Sequence, residues 1–210
     1  AADKGFQMAV HAIGDKGNNQ VLKLYEEILD TNGIFDHRWR IEHAQVLFPN
    51  FYSRAAELKV LASMQSSHAV GDSKWAEDRI GSERIQDAYA WQNILKSGVR
   101  LLLNSDLPGE PWKPMETLYF AVNRKPLDST KESKGWYMNQ ALTVEEALKA
   151  MTIENAYGAF QEKKLGSIEV NKLADFIIID QNPLTVVSED IKNIKVLETW
   201  VSGIKVNSIN

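Results

Sequence analysis

Three histidines and one aspartate stand where short apolar runs of the sequence end, and their side chains could hold a metal ion. The four positions are His11 in QMAVHAI, His43 in WRIEHAQVL, His68 just after VLASMQ, and Asp106 just after VRLLLNS. Successive positions are 32, 25 and 38 residues apart, about the length of one strand-plus-helix unit. Because the carboxyl ends of parallel strands meet at one rim, four such units in register would bring these side chains together.

Imidazole nitrogens and a carboxylate oxygen are suitable ligands for a divalent metal, and zinc accepts both. A bound metal lowers the pKa of its water towards neutrality, which makes hydroxide available for hydrolysis. Asp106 could be a ligand and also accept the proton of that water. For any one of these residues the alternative is structural, because histidines are often hydrogen-bonded core residues and Asp106 could cap a helix. His37, ahead of its strand in FDHRWR, is interpreted as surface or structural.

Four strand-like runs alternate with amphipathic stretches, and this alternation would position the candidate site. The runs cover residues 7–13, 39–47, 60–65 and 99–105. Such alternation is typical of a parallel α/β sheet or barrel. A later helix begins with the capping box of Thr143 and Glu146. Residues 165–210 then suggest a small β-domain, with two strands around a turn at Asn171-Lys172 and a tight turn at Ser202-Gly203.

The composition excludes several functional classes. The 210 residues have 24 Lys and Arg against 28 Asp and Glu, a net charge of −4, which gives no electrostatic reason to expect a nucleic-acid or anionic-membrane partner. There is no cysteine, which excludes disulfides and thiol catalysis. The apolar runs are too short to span a bilayer, and the first residues lack the pattern of a signal peptide. We therefore expect a small-molecule substrate and favour the cytoplasm as the location.

Several segments resemble the amidohydrolase superfamily, and most closely its family 3, the YtcJ-like metal-dependent hydrolases. These segments are VHAIGDKGNNQVL, HRWRIEHAQ, MQSSHA, LLLNSDLPGEP, LTVEEALKAMTIENAYG and LGSIEVNKLADFIIIDQNPL. They follow the family's order over nearly the whole chain. The resemblance implies an α/β fold: the second half of a (β/α)8 TIM-type barrel, strands 5 to 8, over residues 1–164. The C-terminal strands of a small β-sandwich would follow over residues 165–210.

The resemblance also implies a metal centre. His11 and His43 would be metal ligands supplied by barrel strands 5 and 6. Asp106 would bind the metal from strand 8 and also act as the general base. The implied cofactor is a divalent metal, with zinc favoured and one or two ions in the complete protein.

Three further residues are predicted to face the substrate. The resemblance implies this for Gln65 and His68, although the family usually has Q-P-x-H where this chain has Gln65-Ser66-Ser67-His68. Glu110 is predicted to meet the substrate because it lies on the loop after the fourth run, where binding residues are common.

The sequence lacks a motif that the family carries on its first barrel strand. The superfamily places an H-x-H pair on barrel strand 1, and this sequence contains no H-x-H. We therefore expect the chain to be a C-terminal portion of such a protein, with little activity alone. Half a barrel has two unpaired sheet edges and an exposed inner face. We expect the chain to associate with itself or with the missing N-terminal half.

The predicted function is hydrolysis of a C–N bond, amide or cyclic amide, by metal-activated water. Two alternatives remain open. A non-catalytic α/β binding or regulatory module, with structural histidines, would bind no metal tightly. A metal-independent hydrolase that uses Asp106 with His68 would be insensitive to chelators. The sequence contains neither a G-x-S-x-G motif nor a phosphate-binding glycine loop.

Overall fold

Four parallel strands form the larger sheet of the computed structural model, which describes residues 2–33, 35–110 and 112–208. The strands, in spatial order, are β1 (Ala9–Ala12), β2 (Arg40–His43), β3 (Leu61–Gln65) and β4 (Leu101–Asn104). Each strand pairs in parallel with the next along the chain. The predicted parallel α/β sheet is therefore confirmed, and its carboxyl ends lie along one rim.

Helices connect the strands and follow the last of them. They are α1 (Asp15–Asn32), α2 (Phe51–Glu57), α3 (Ser66–Asp72), α4 (Ala76–Arg84), α5 (Trp91–Lys96), α6 (Pro114–Asn123), α7 (Val144–Met151) and α8 (Ile153–Gly158). The predicted capping box is confirmed at the start of α7, where the Thr143 side chain accepts from the Glu146 amide and the Glu146 carboxylate accepts from the Thr143 amide. Within the described ranges, no helix combines the length and the apolar character needed to cross a bilayer.

The two faces of the large sheet differ in character because alternate strand residues point to opposite sides. On one side, Ile41, Met64 and Leu103 are at most 2% exposed and belong to the hydrophobic core. On the other side, the strand register places His11 beside Glu42 and Glu42 beside Ser63. Burial of the apolar face stabilises the sheet. The polar face carries side chains that lie next to the candidate site.

Helix α8 closes the sheet at the N-terminal ends of its strands. The ring of Tyr157 lies between the guanidinium groups of Arg38 and Arg100, with each carbon Cζ 3.9 Å from the ring centroid. Arg38 also donates hydrogen bonds of 2.8–2.9 Å to the carboxylates of Asp36 and Glu162. These contacts fix the closed end, and the candidate functional residues collect at the opposite end.

A second, antiparallel sheet follows the helices. Its strands, in spatial order, are β5 (Phe176–Ile179), β6 (Val196–Val201) and β7 (Ile204–Ser208). The tight turn predicted at Ser202-Gly203 is confirmed, and both residues have positive φ, 51° and 76°. Such φ values are typical of two-residue hairpin turns.

The strand predicted before the turn at Asn171-Lys172 is wrong. The backbone from Lys164 to Leu173 forms a closed loop, in which the Leu173 amide donates to the Lys164 carbonyl over 2.9 Å. Ile168 and Val170, whose residue types favour strands, are 85% and 90% exposed. In the described ranges no neighbouring strand pairs with this segment, and β-branched residues do not make a strand by themselves.

Candidate metal centre

His43, His68 and Asp106 come together at the carboxyl ends of the strands. His43 ends β2, His68 lies on α3 directly after β3, and Asp106 follows β4. One potential ligand atom from each of the three lies within 4.8 Å of the others. The spacing of the sequence thus brings three of its four candidate residues into one group.

His43 reaches this group because the backbone bends sharply at the end of β2. His43 and Ala44 have φ of 75° and 45°, in the left-handed region that residues other than glycine seldom adopt. Two backbone hydrogen bonds hold the bend, one from Ala44 to Ala12 and one from Val46 to Ile13. The bend turns the His43 ring out of the strand's alternation and towards the polar face.

Arg40 and Glu42 lie on the polar face of the sheet, the same face as the site. Glu42 is aligned with His11 on one neighbouring strand and with Ser63 on the other, so all three share the polar face. Alternation fails at His43 because of its positive φ. Arg40 and Glu42 form an ion pair with each other.

Two side-chain amides, those of the buried Gln65 and the half-buried Asn104, fix the ring of His43. His43 Nδ1 lies 2.8 Å from Gln65 Oε1, and Gln65 Nε2 donates to Asn104 Oδ1 over 2.9 Å. The same oxygen accepts from the Asp106 amide over 3.1 Å, and Asn104 Nδ2 donates to Ser63 Oγ over 3.0 Å. Gln65 and Ser63 are each 4% exposed, so this hydrogen-bonded group is a packed part of the sheet.

His68 faces two carboxylates. Its Nε2 lies 3.8 Å from Asp106 Oδ2 and 3.4 Å from Glu110 Oε1. The side chain of His68 is 18% exposed, that of Glu110 30%, and that of Asp106 47%. The group therefore opens to solvent on the side of Asp106, where a ligand can approach.

His11 lies beside the group without belonging to it. Its ring centroid is 4.5 Å from that of His43, with the two planes at 76°. His11 is exposed, and its nitrogens lie outside the set of mutually close ligand atoms formed by His43, His68 and Asp106. Its assignment as a ligand stays a prediction, as do the substrate roles of Gln65, His68 and Glu110; the described contacts of Gln65 are to His43 and Asn104.

Asn104 and Ser63 belong to the site although no sequence prediction identified them. In VLASMQ the polar residues Ser63 and Gln65 stand two positions apart, so they share one face of the strand, and this is the signal that could have identified Ser63. Asn104 follows the apolar residues 101–103 without such an alternation.

The donor set fits a divalent cation. Two imidazoles and a carboxylate are ligands that zinc and related metals accept. His43 has the outer support typical of a metal-binding histidine, because its second ring nitrogen is held by a hydrogen bond to Gln65.

His37 is a structural residue, as interpreted from the sequence. It is 2% exposed, its Nε2 lies 2.8 Å from the Leu58 carbonyl, and its Nδ1 accepts from the Trp39 amide over 2.8 Å. Burial lowers the pKa of this imidazole below its ordinary value.

The comparison with protein families decides the classification of the chain. The model of the amidohydrolase family matches residues 1–206. The chain belongs to the amidohydrolase family. This agrees with the resemblance read from the sequence, and the expectation of a YtcJ-like relative is confirmed.

Three curated relatives of this amidohydrolase chain each match over 97% of its length. The protein LONG AFTER FAR-RED 3 of Arabidopsis thaliana is 39% identical over 205 residues, and the putative amidohydrolase YtcJ of Bacillus subtilis (strain 168) is 33% identical over 205 residues. The N-substituted formamide deformylase of Arthrobacter pascens is 27% identical over 208 residues. The chain spans only 34%, 38% and 37% of the length of these three relatives.

Two solved structures of metal-dependent hydrolases have a similar fold. An uncharacterized one from Pyrococcus horikoshii OT3 has a TM-score of 0.76 and 31% identity, and covers 90% of this chain and 36% of that chain. Another, from Pyrococcus furiosus, has a TM-score of 0.73 and 34% identity, and covers 88% of this chain and 36% of that chain. The chain thus resembles metal-dependent hydrolases in both sequence and fold.

Proposed function

We propose that this amidohydrolase chain supplies the metal centre of a hydrolase that cleaves C–N bonds of amides or cyclic amides. The single observation that supports this most is the group of His43, His68 and Asp106 at the carboxyl rim of the sheet. A relative named for N-substituted formamide deformylation favours an amide as the bond that is cleaved.

His43 and Asp106 are proposed as the central ligands of a zinc ion. His68 would contribute from α3, and His11, whose ring contacts His43, would contribute from β1 as the sequence predicts. Bound there, the cation would act as a Lewis acid towards a carbonyl oxygen and lower the pKa of a water molecule.

Asp106 is proposed as the group that moves the proton. Its side chain is 47% exposed and its Oδ2 lies 3.8 Å from His68 Nε2, so it is open to an incoming water and a substrate nitrogen. The carboxylate would accept the proton of the attacking water and pass it to the leaving nitrogen. Glu110, whose Oε1 lies 3.4 Å from His68 Nε2, borders the same opening, and there it would orient the amide.

The open large sheet suggests how the site is completed. In the described chain, β1 and β4 each pair on one side only, and His11 on the polar face is exposed. We propose that the four strands are half of a (β/α)8 barrel, completed by further strands of the same protein or by another chain. The small antiparallel sheet would be part of a β-sandwich.

In sedimentation velocity, we expect the 210-residue chain to form oligomers; a stable monomer would contradict association between copies.

The hydrolysis of an N-substituted formamide tests the reaction. We expect turnover by the zinc-loaded protein in which the barrel is complete, loss of turnover on chelation, and recovery when Zn²⁺ is returned. Asp106→Asn should abolish turnover, while Glu83→Gln, an exposed change on α4, should not alter it. Turnover that survives full chelation would contradict the metal mechanism and favour the metal-independent pair of Asp106 and His68.

A further inference from the structure

The side-chain amide of Asn104 has one orientation, and a backbone group determines it. The Asn104 atom 3.1 Å from the Asp106 nitrogen must be the carbonyl oxygen, because a backbone N–H donates and an amide NH₂ cannot accept. The NH₂ group of Asn104 then points to Ser63 Oγ, 3.0 Å away, where a hydroxyl can accept. The orientation therefore follows from chemistry alone.

The orientation of the Asn104 amide determines that of the Gln65 side-chain amide. The same Asn104 oxygen lies 2.9 Å from a side-chain amide atom of Gln65, and that atom must be the NH₂ nitrogen because it has to donate. The carbonyl oxygen of Gln65 therefore faces His43 Nδ1, at 2.8 Å. An oxygen without a hydrogen can only accept, so Nδ1 must carry the proton.

We infer that Asn104 is a positioning residue that holds His43 in its Nδ1–H tautomer through Gln65. The lone pair of the neutral ring is then on Nε2, the nitrogen that Gln65 leaves available. Without such a constraint, a neutral imidazole in water favours the opposite, Nε2–H form. The consequence for metal binding rests on the function proposed above; the tautomer itself does not.

His37 provides a built-in contrast within the same chain. Its Nδ1 accepts from the Trp39 amide and its Nε2 faces the Leu58 carbonyl at 2.8 Å, so it must be the Nε2–H tautomer. In their neutral forms, His43 and His37 are therefore held in opposite tautomers by hydrogen bonds. A single spectrum can report on both.

The arrangement also connects two candidate ligands from different strands. The backbone amide of Asp106 orients Asn104, and Asn104 orients the ring of His43 through Gln65. Outer hydrogen-bond partners of metal-binding histidines contribute about 10–100-fold to metal affinity. The segment that supplies the carboxylate thus also prepares the imidazole to bind.

The test is a long-range ¹H–¹⁵N correlation spectrum of the metal-free, ¹⁵N-labelled chain at pH 8, with each ring assigned by single histidine substitution. We expect the Nδ1–H pattern for His43 and the Nε2–H pattern for His37. Asn104→Ala should shift His43 towards the Nε2–H form and leave His37 unchanged, which also shows that the chain is folded.

Two further variants distinguish positioning from general damage. Asn104→Asp keeps an oxygen that accepts from both the Asp106 amide and Gln65, so it should retain the Nδ1–H form. Asn93→Ala removes a comparable amide contact, in which Gln140 Nε2 donates to Asn93 Oδ1 over 3.0 Å, and should leave His43 unchanged. An Nε2–H pattern for His43 in the unmodified chain, or no response to Asn104→Ala, would overturn the inference.

Zn²⁺ titration separates this inference from the proposed function. If the unmodified chain binds Zn²⁺, Asn104→Ala should weaken its affinity about 10–100-fold, and Asn104→Asp should restore most of it. Unchanged affinity in Asn104→Ala would overturn the role in metal binding. If the unmodified chain binds no Zn²⁺ while the tautomer responds as expected, the proposed function fails and the positioning of His43 by Asn104 stands.

Discussion

The ring of His43 stacks on that of His68, with centroids 5.4 Å apart and planes 27° from parallel. The two residues come from different strand-helix units, 25 positions apart in the sequence. On its other side, His43 contacts the ring of His11. His43 is therefore the middle member of a row of three imidazoles along the rim of the sheet.

This row predicts that both outer histidines contribute to metal binding. His11→Ala and His68→Ala should each weaken Zn²⁺ affinity at least about tenfold, or about 1.4 kcal/mol, because each removes one nitrogen donor beside His43. Isothermal titration of each variant against the parent chain measures the change. Glu83→Ala, at an exposed position on α4, is the control. An outer histidine whose replacement leaves the affinity unchanged is not a ligand.

Substitution by alanine should change the stability of the fold in opposite directions at two glycines, one at the end of α8 and one on α3. A Cβ at Gly158 would lie 2.4 Å from Leu102 Cδ2, whereas a Cβ at Gly71 on α3 would meet no atom within 4 Å. Gly158→Ala should lower the free energy of unfolding by about 1–3 kcal/mol through overpacking. Gly71→Ala should raise it by up to about 1 kcal/mol, because alanine favours the helix. Urea denaturation of both variants checks this, and equal effects would show that α8 does not pack on the sheet as described.

The cluster around Arg38 predicts a large cost for removing one buried cation. The side chain of Arg38 is 9% exposed and pairs with Asp36 and Glu162. Arg38→Met should destabilise the fold by about 2–3 kcal/mol, because both carboxylates lose charged hydrogen bonds. Lys23→Met breaks an ion pair with Glu27 whose side chains are 70% and 62% exposed, and should have no measurable effect. If the two variants were equally stable, Arg38 would not hold α8 against the sheet.

The burial of His37 predicts a pH dependence of stability. Burial lowers the pKa of the folded imidazole below its ordinary 6.5, so the unfolded chain binds the proton more readily. Protonation would also remove the acceptor that Nδ1 offers to the Trp39 amide. The contribution of neutral His37 to the free energy of unfolding should be fully present above pH 6.5. It should fall as the pH drops below 6.5, by at most about 1.4 kcal/mol per pH unit.

Urea unfolding at pH 7.5 and 5.5, with a chelator present, measures this dependence. His37→Gln should be less stable than the parent at pH 7.5 and should lose part of the decline between the two values. The exposed, non-ionising change Ser53→Ala should keep the parent's decline. A His37→Gln profile parallel to that of the parent would show that His37 does not cause the decline.

Much of the fold was predictable because its elements repeat at a regular interval. The four apolar runs correspond to β1 through β4, and the helical stretches between them enforce parallel pairing. The strand expected before Asn171 fails for a physical reason, since Ile168 and Val170 have strand propensity but no partner strand in the described ranges. Pairing is a long-range property that local composition does not reveal.

The sequence predicted that three of the four candidate residues would meet, but not their geometry or the amides that support them. Strand ends brought His43, His68 and Asp106 to one rim. Simple alternation would put His43 and Glu42 on opposite faces of the sheet, because nothing in WRIEHAQVL indicates the positive φ of His43. Asn104 and its role in orienting Gln65 depend on contacts between three different strands, which a single sequence does not display.

Zn²⁺ titration tests the central claim most directly. It compares three purified proteins: the 210-residue parent chain, His43→Ala and Asp106→Ala. Circular dichroism should confirm that all three proteins are folded, and Glu83→Ala should behave as the parent. The metal-centre account predicts saturable binding by the parent chain and its loss in both variants. A folded parent chain that binds no Zn²⁺, or equal binding by all three proteins, would contradict it.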